Sequence, residues 1–183
     1  VLEYNGRYYV VGSGRQPLQR DKTQTEDYYL LTLAAIAKEL EHRGAHMLCI
    51  KDMSGVLKPY AAQKLVTALK QETGIPIQLH THDTSGNQVA ALLLAAEAGV
   101  DVVDCAISSM AGMTSQPSLN AVVAALQNTE RDTGMDLDRL QKLTEYWEDV
   151  RKRYDSFEGG LTCNNADIYR YEIPGGQYTN LRP

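Results

Sequence analysis

Residues Ile77 to Gly86 read IQLHTHDTSG: two histidines one residue apart close an apolar, β-prone run, and Asp83 follows at once. Successive strand residues point to opposite faces, so His80 and His82 project from one side with Cα atoms roughly 6.5–7 Å apart, and Thr81 points away from them. Two imidazoles so placed can share one divalent cation. They can equally be hydrogen-bonded polar residues at a strand end, with Asp83 starting a turn toward Gly86. Lys51 sits at the corresponding end of the preceding apolar run, AHMLCIKDM (Ala45 to Met53). A lysine at the inner end of a buried strand must be paired, neutralised or modified, because an isolated buried ammonium is costly. Alternation turns Asp52 to the opposite face, away from Lys51. One resolution is carbamylation: the neutral amine adds CO2 and becomes an oxygen donor that can join the two imidazoles around a metal. The other is an ordinary lysine at a solvated rim. Histidine with carboxylate-like donors suits zinc, manganese or cobalt.

These residues need a scaffold that brings strand ends together. Thr25 to His42 places apolar residues at helical spacing with acids early, and Gly44 stops it. Lys58 to Gly74 is a second helix, with Pro59 in its first turn and Gly74 as its stop. IPIQLHTH is the next strand, Gly86 to Gly99 the third helix, and Val100 to Met110 the third strand. PSLNAVVAALQNT and Asp136 to Phe157 read as further helices, and YYVVGS (Tyr8 to Ser13) as a fourth strand. Strands alternating with helices at this spacing indicate parallel βα units, hence an α/β fold. The polar side chains Lys51 and Asp52, His80 to Asp83, and Ser108 to Thr114 all fall where a strand hands over to a loop. Such positions converge on one mouth in a (β/α)8 TIM barrel, which favours that architecture over an open doubly wound sheet. A closed barrel needs eight strands, so about half of one is expected here. The expected organisation is a distinctive stretch over 1–27, βα units over 28–128, and a helical and loop extension over 129–183.

Bulk properties narrow the function. The 183 residues carry 18 Lys and Arg against 23 Asp and Glu, a net charge of −5, which offers no basic surface for nucleic acid or anionic lipid. No apolar run reaches the roughly 18 residues of a membrane span, and the N-terminus lacks the layout of a secretory signal, so the chain reads as soluble. Cys49, Cys105 and Cys163 are odd in number and widely spaced, which fits buried thiols in a reducing compartment.

Four segments in order carry a resemblance: IKDMSGVLKPYAA (Ile50 to Ala62), LHTHDTSGNQVAA (Leu79 to Ala91), SSMAGMTSQPS (Ser108 to Ser118) and EIPGGQYTNL (Glu172 to Leu181). Together they resemble the carboxyltransferase domain of pyruvate carboxylase, whose barrel is shared by biotin-dependent oxaloacetate decarboxylases and transcarboxylases. The resemblance spans about Tyr28 to the C-terminus. It implies metal-assisted transfer of a carboxyl group from carboxybiotin to pyruvate, giving oxaloacetate. It also implies a carboxylated lysine at Lys51, as catalytic group and metal ligand, with His80 and His82 as further ligands. The implied cofactors are a divalent metal, zinc or manganese, and biotin supplied by another domain. The implied partners are pyruvate, carboxybiotin, the missing barrel segments, and the biotin carrier and biotin carboxylase domains. A homo-oligomeric parent follows from the same resemblance, and the reduced cysteines suit either the cytoplasm or the mitochondrial matrix.

The departures are equally specific. The RDAHQS-like motif of the family's first strand, with a further metal-binding Asp and a substrate-contacting Arg, has no counterpart here. The family's proton-relaying downstream threonine and its MKM-type biotin acceptor are also absent, and 1–27 departs from the usual ICYTGDI-like start. Gly12-Ser13-Gly14 is a lone GxG and reads as a turn. Alone, then, the chain is expected to be incomplete and inactive. Two other readings stay open on sequence: a related metal-dependent lyase or aldolase of the same barrel superfamily, and a non-catalytic half-barrel that associates with a partner through open sheet edges. The Ser108 to Ser118 loop reads either as a substrate-positioning rim or as small-residue packing ahead of a helix begun by Pro117.

Overall fold

The fold is given by a computed structural model, which describes residues 2–4, 7–11, 26–159 and 161–171. Strand β1 (Leu2–Tyr4) runs antiparallel to β2 (Arg7–Val11), with Tyr4 opposite Arg7. Helix α1 (Glu26–His42) leads to β3 (Leu48–Asp52), α2 (Pro59–Glu72) to β4 (Ile77–Thr81), and α3 (Gln88–Glu97) to β5 (Val102–Val103). A 3-10 turn at Ser108–Met110 precedes α4 (Leu119–Leu126) and α5 (Leu137–Lys152); a second turn at Asp155–Phe157 and α6 (Ile168–Tyr171) follow.

From β2 to β5 the strands lie side by side in chain order and all pair in parallel. A doubly wound sheet reverses its order at a switch point, whereas sequential parallel strands with helices on one face are the arrangement of a (β/α)8 barrel. With four such strands among the described residues, this is part of a barrel wall, as the sequence predicts. Ile77, Leu79 and Thr81 of β4 are fully buried beneath α2 and α3, where Ala62, Val66, Ala91, Leu92 and Ala95 close the core. Gln78 and His80 alternate with them on the other face, the one that looks into the barrel.

Several expectations need correction. The third strand is two residues long, not Val100 to Met110: after Val103 only the Asp104 N–H to the Leu79 carbonyl (3.1 Å) and a bridge between Ala106 and Ser118 continue the pairing. The long last helix ends at Lys152, and Asp155–Phe157 is a separate turn. Pro117 does not begin a helix. Ser118 caps α4, accepting the Ala121 N–H, so the proline precedes the cap and is buried. Cys49 and Cys105 are half-buried free thiols, but Cys163 is exposed. Gly12-Ser13-Gly14 and Glu172 to Leu181 lie outside the described residues.

Asp101 fixes the start of β4. Its carboxylate accepts the Ile77 N–H (2.8 Å) and pairs with Lys70 at 2.9 Å. Burial would raise its pKa, but the Ile77 and Lys70 contacts outweigh this and hold it below the ordinary 3.8. A carboxyl depressed in the folded state contributes stability in full above its unfolded pKa and loses it as the pH falls through the folded value. Asp101→Asn is therefore expected to lower the melting temperature at pH 7, with the gap to wild type closing below pH 3.8. Parallel thermal melts at pH 7 and pH 3 check this, and a gap unchanged by acid would contradict it.

Candidate metal centre

His80 and Lys51 are register partners across β4 and β3, so both side chains leave the barrel-facing side of the sheet. The next ladder bond, His82 N–H to the Asp52 carbonyl (3.1 Å), carries the same phase one step further and sets His82 beside His80 on that face. Asp52 faces the helices instead. Its carboxylate takes the Val56 and Leu57 N–H groups (3.1 and 2.8 Å) and the Thr81 hydroxyl (3.0 Å), closing the β3–α2 loop.

The ring orientations are set by what each Nδ1 touches. His80 Nδ1 lies 2.6 Å from Asp104 Oδ2, and His82 Nδ1 lies 2.6 Å from the Thr114 carbonyl oxygen. A carbonyl only accepts, so His82 carries its proton on Nδ1; the Asp104 carboxylate, which also accepts from Gln78 Nε2 at 2.9 Å, asks the same of His80. Both Nε2 atoms are then left with lone pairs, and they stand 3.4 Å apart. Two nitrogens bound tetrahedrally to one ion at roughly 2.0–2.1 Å are about 3.3–3.4 Å apart, so the pair fits a shared cation. Gln116 Nε2, 3.5 Å from His82 Nε2, borders the same spot.

Electrostatics favours that role for His82. Burial lowers the pKa of His82 below the ordinary 6.5 against the pull of the Thr114 carbonyl, and the charges of His80 and Lys51 push the same way. A ligating imidazole must be neutral, and burial favours that form of His82. Cys105 lines a cavity of about 430 Å³ with His80, Val103, Asp104, Gln116 and Leu119. Burial, aided by Asp104, pushes its thiol up to about 12, so it is no nucleophile at neutral pH. Among the described residues no three His, Cys, Asp or Glu side chains form a cation-binding cluster. A cation shared by the two histidines would need donors of another kind, and Lys51 is the side chain the register supplies on their face.

Reasoning from sequence singled out Lys51, His80 and His82 and set the loop bearing Thr114 and Gln116 at the rim without giving either a contact, but missed Asp104. Strand parity was the available signal for Asp104: Gln78 pairs with Val102, so two residues further along both strands Asp104 comes level with His80. The Thr114 contact is made by the main chain and has no signature in residue type.

The model of the HMGL-like family matches residues 19–146. The chain belongs to the HMGL-like family. Within reach of that family, it is 51% identical to the pyruvate carboxylase of Bacillus subtilis (strain 168) over 88% of its length, and 49% identical to the mitochondrial pyruvate carboxylase of Homo sapiens over 88%. It spans 14% of either protein. Among solved structures, it superposes on the carboxyl transferase domain of Rhizobium etli pyruvate carboxylase with 3-hydroxypyruvate at a TM-score of 0.83, with 45% identity, covering 90% of this chain and 27% of that one. The same domain with pyruvate and biocytin gives a TM-score of 0.81 at 48% identity, covering 84% and 26%. The resemblance read from the motifs holds, and with it the HMGL-like barrel.

Proposed function

We propose that this chain supplies the metal-binding part of a carboxyltransferase site that moves a carboxyl group from carboxybiotin to pyruvate, releasing biotin and oxaloacetate. The observation that carries this reading is the pair of Nε2 atoms 3.4 Å apart on the barrel-facing side of β4. His80, His82 and Lys51 would hold the metal, and zinc and manganese both suit this donor set. When bound, a divalent cation supplies Lewis-acid stabilisation of the negative charge that develops on pyruvate as its methyl group loses a proton. The chain's own residues prepare for this. Asp104 and Thr114 hold the Nδ1 protons, so the imidazoles present lone pairs to the metal and cannot rotate away. Lys51 enters as a carbamate: its neutral amine forms a bond to the carbon of CO2, the nitrogen gives up a proton, and the product is an anionic oxygen donor. Gln116, Asp104 and Cys105 line the cavity beside the pair, where the small keto acid is held.

Biotin, its carrier and the carboxylase domain that charges it come from elsewhere in a larger, homo-oligomeric enzyme, as does the rest of the barrel. Pyruvate carboxylases named as mitochondrial are among the relatives, and no helix of the described residues is long and apolar enough to cross a membrane. The compartments this supports are the cytoplasm and the mitochondrial matrix.

A chimera tests the reading. With this chain replacing the matching segment of the Bacillus subtilis pyruvate carboxylase, oxaloacetate formation from pyruvate should persist. The Lys51→Ala chimera should lose it by at least about 100-fold in kcat, the order expected when a group acting on the transition state is removed. A Lys51→Ala chimera within threefold of its parent would remove Lys51 from the chemistry.

A further inference from the structure

The loop that follows His82 is held from outside the sheet by a segment far along the chain. Asn164 Nδ2 donates to the Asp83 carbonyl, and the Asn165 N–H donates to the Thr84 carbonyl at 2.8 Å. The Tyr169 hydroxyl donates to Ser85 Oγ and accepts from Asn87 Nδ2, each at 3.1 Å, while Lys58 Nζ lies 5.3 Å from the centre of its ring. Ile168, 3% exposed, anchors the segment. The approach is close enough to need a glycine: a Cβ at Gly86 would stand 3.0 Å from Asn164 Cβ, and its φ of +78° already disfavours a side chain.

From inside, the same loop is tied by Gln88. This fully buried amide donates to the Gly55 carbonyl (2.9 Å) and Ser85 Oγ (3.2 Å), while its oxygen takes a share of the Thr81 hydroxyl at 3.0 Å. The Asp83 N–H reaches the Ser115 carbonyl at 2.8 Å, next to the Thr114 carbonyl that holds the His82 ring. The Asp83 and Thr84 carbonyls and Ser85 Oγ are therefore held by the 164–169 segment, while the Asp83 N–H and Ser85 Oγ are also tied to Ser115 and Gln88.

We propose that Asn164 and Tyr169 are positioning residues for His82. They act through the Asp83 and Thr84 carbonyls and the Ser85 hydroxyl, fixing the peptide that aims His82 Nε2 at His80. Nothing in this arrangement requires either side chain to touch substrate or metal. The proposal rests on the reading of His82 as a metal ligand.

The test measures cobalt(II) affinity of the intact chain by visible absorption, for wild type, Asn164→Ala, Tyr169→Phe and Val123→Ala, a buried substitution in α4. Each variant is studied at a temperature where circular dichroism shows it folded. Asn164→Ala and Tyr169→Phe should weaken cobalt binding about tenfold or more, the usual cost of losing an outer partner of a ligand. Val123→Ala should lower the melting temperature without shifting affinity more than twofold. Affinities of the two loop variants within twofold of wild type, or shifted no more than that of Val123→Ala, would overturn the proposal.

Nitrogen-15 NMR of the His82 ring separates the two ideas. Should wild type bind no cobalt, the titration is repeated in the chimera with the Bacillus subtilis pyruvate carboxylase, and no cobalt bound there would overturn the metal reading. The ring still decides the positioning claim: Asn164→Ala should speed solvent exchange of the His82 Nδ1–H signal, and an unchanged signal would refute it.

Discussion

His82→Ala and His80→Ala are each expected to empty the chain of divalent cation. Each removes one of the two Nε2 donors that stand 3.4 Å apart, and among the described residues no neighbouring His, Cys, Asp or Glu cluster exists to replace it. The loss should exceed the roughly 10–100-fold that follows removal of an outer partner, because a bond to the metal itself disappears. Asp104→Asn provides the internal scale. It leaves both nitrogens in place but replaces the carboxylate that holds the His80 Nδ1 proton, so its effect should fall inside that 10–100-fold range. Elemental analysis after dialysis against zinc, with competition titration for the affinities, ranks the variants. Equal metal content in wild type and both histidine variants would dismiss the ligand assignment. An Asp104→Asn loss as large as either would show that the carboxylate is itself a ligand.

Gly55→Ala should be the most damaging single methyl addition in the described residues. Gly55 has φ +67°, where an L-residue costs about 1–2 kcal/mol, and a Cβ there would fall on the His82 carbonyl oxygen. That oxygen belongs to backbone tied into the loop and has no side-chain freedom with which to yield. The combined cost should reach about 3 kcal/mol or more, a fall of roughly 6–12 °C in melting temperature for a chain of this size. Gly134→Ala isolates the collision. Its φ is +66° with nothing within 4 Å of the added methyl, so it carries the backbone strain alone. The difference between the two thermal melts measures the clash with His82. Melting temperatures that fall equally would mean the loop gives way freely.

What the sequence revealed and what it hid follow from the physics of each element. β4 was legible because its phase is unambiguous: Ile77, Leu79 and Thr81 meet the helices while Gln78 and His80 face the barrel, so parity alone put both histidines on one side. α2 and α3 were legible from periodicity and their glycine and proline punctuation. β5 was overcalled because Val100 to Met110 is an apolar run, and such a run does not record where the backbone leaves the ladder. The β1–β2 hairpin was missed although Asn5-Gly6, a turn-forming pair, separates the two strands in the sequence. The site's outer partners were hidden for two different reasons. Asp104 sat in a segment read as core, and Thr114 contributes a carbonyl that every residue possesses.

The ladder that places His80 and His82 also sets how far apart in the chain their partners are. Asp104 lies 24 residues from His80, and the Thr114 carbonyl 32 residues from His82. Asp52, which closes the loop below them, lies 29 residues before Thr81. Each contact bridges neighbouring βα units and none reaches across the chain, so closing them costs little loop entropy. The histidine pair and the two groups that hold its Nδ1 protons thus lie in one contiguous stretch, while the Asn164 and Tyr169 contacts to the His82 loop are added from 81 and 84 residues along the chain. That stretch can assemble as soon as three successive units emerge during synthesis, and genetic exchange between barrels can move it as a single stretch of sequence with its tautomers already specified.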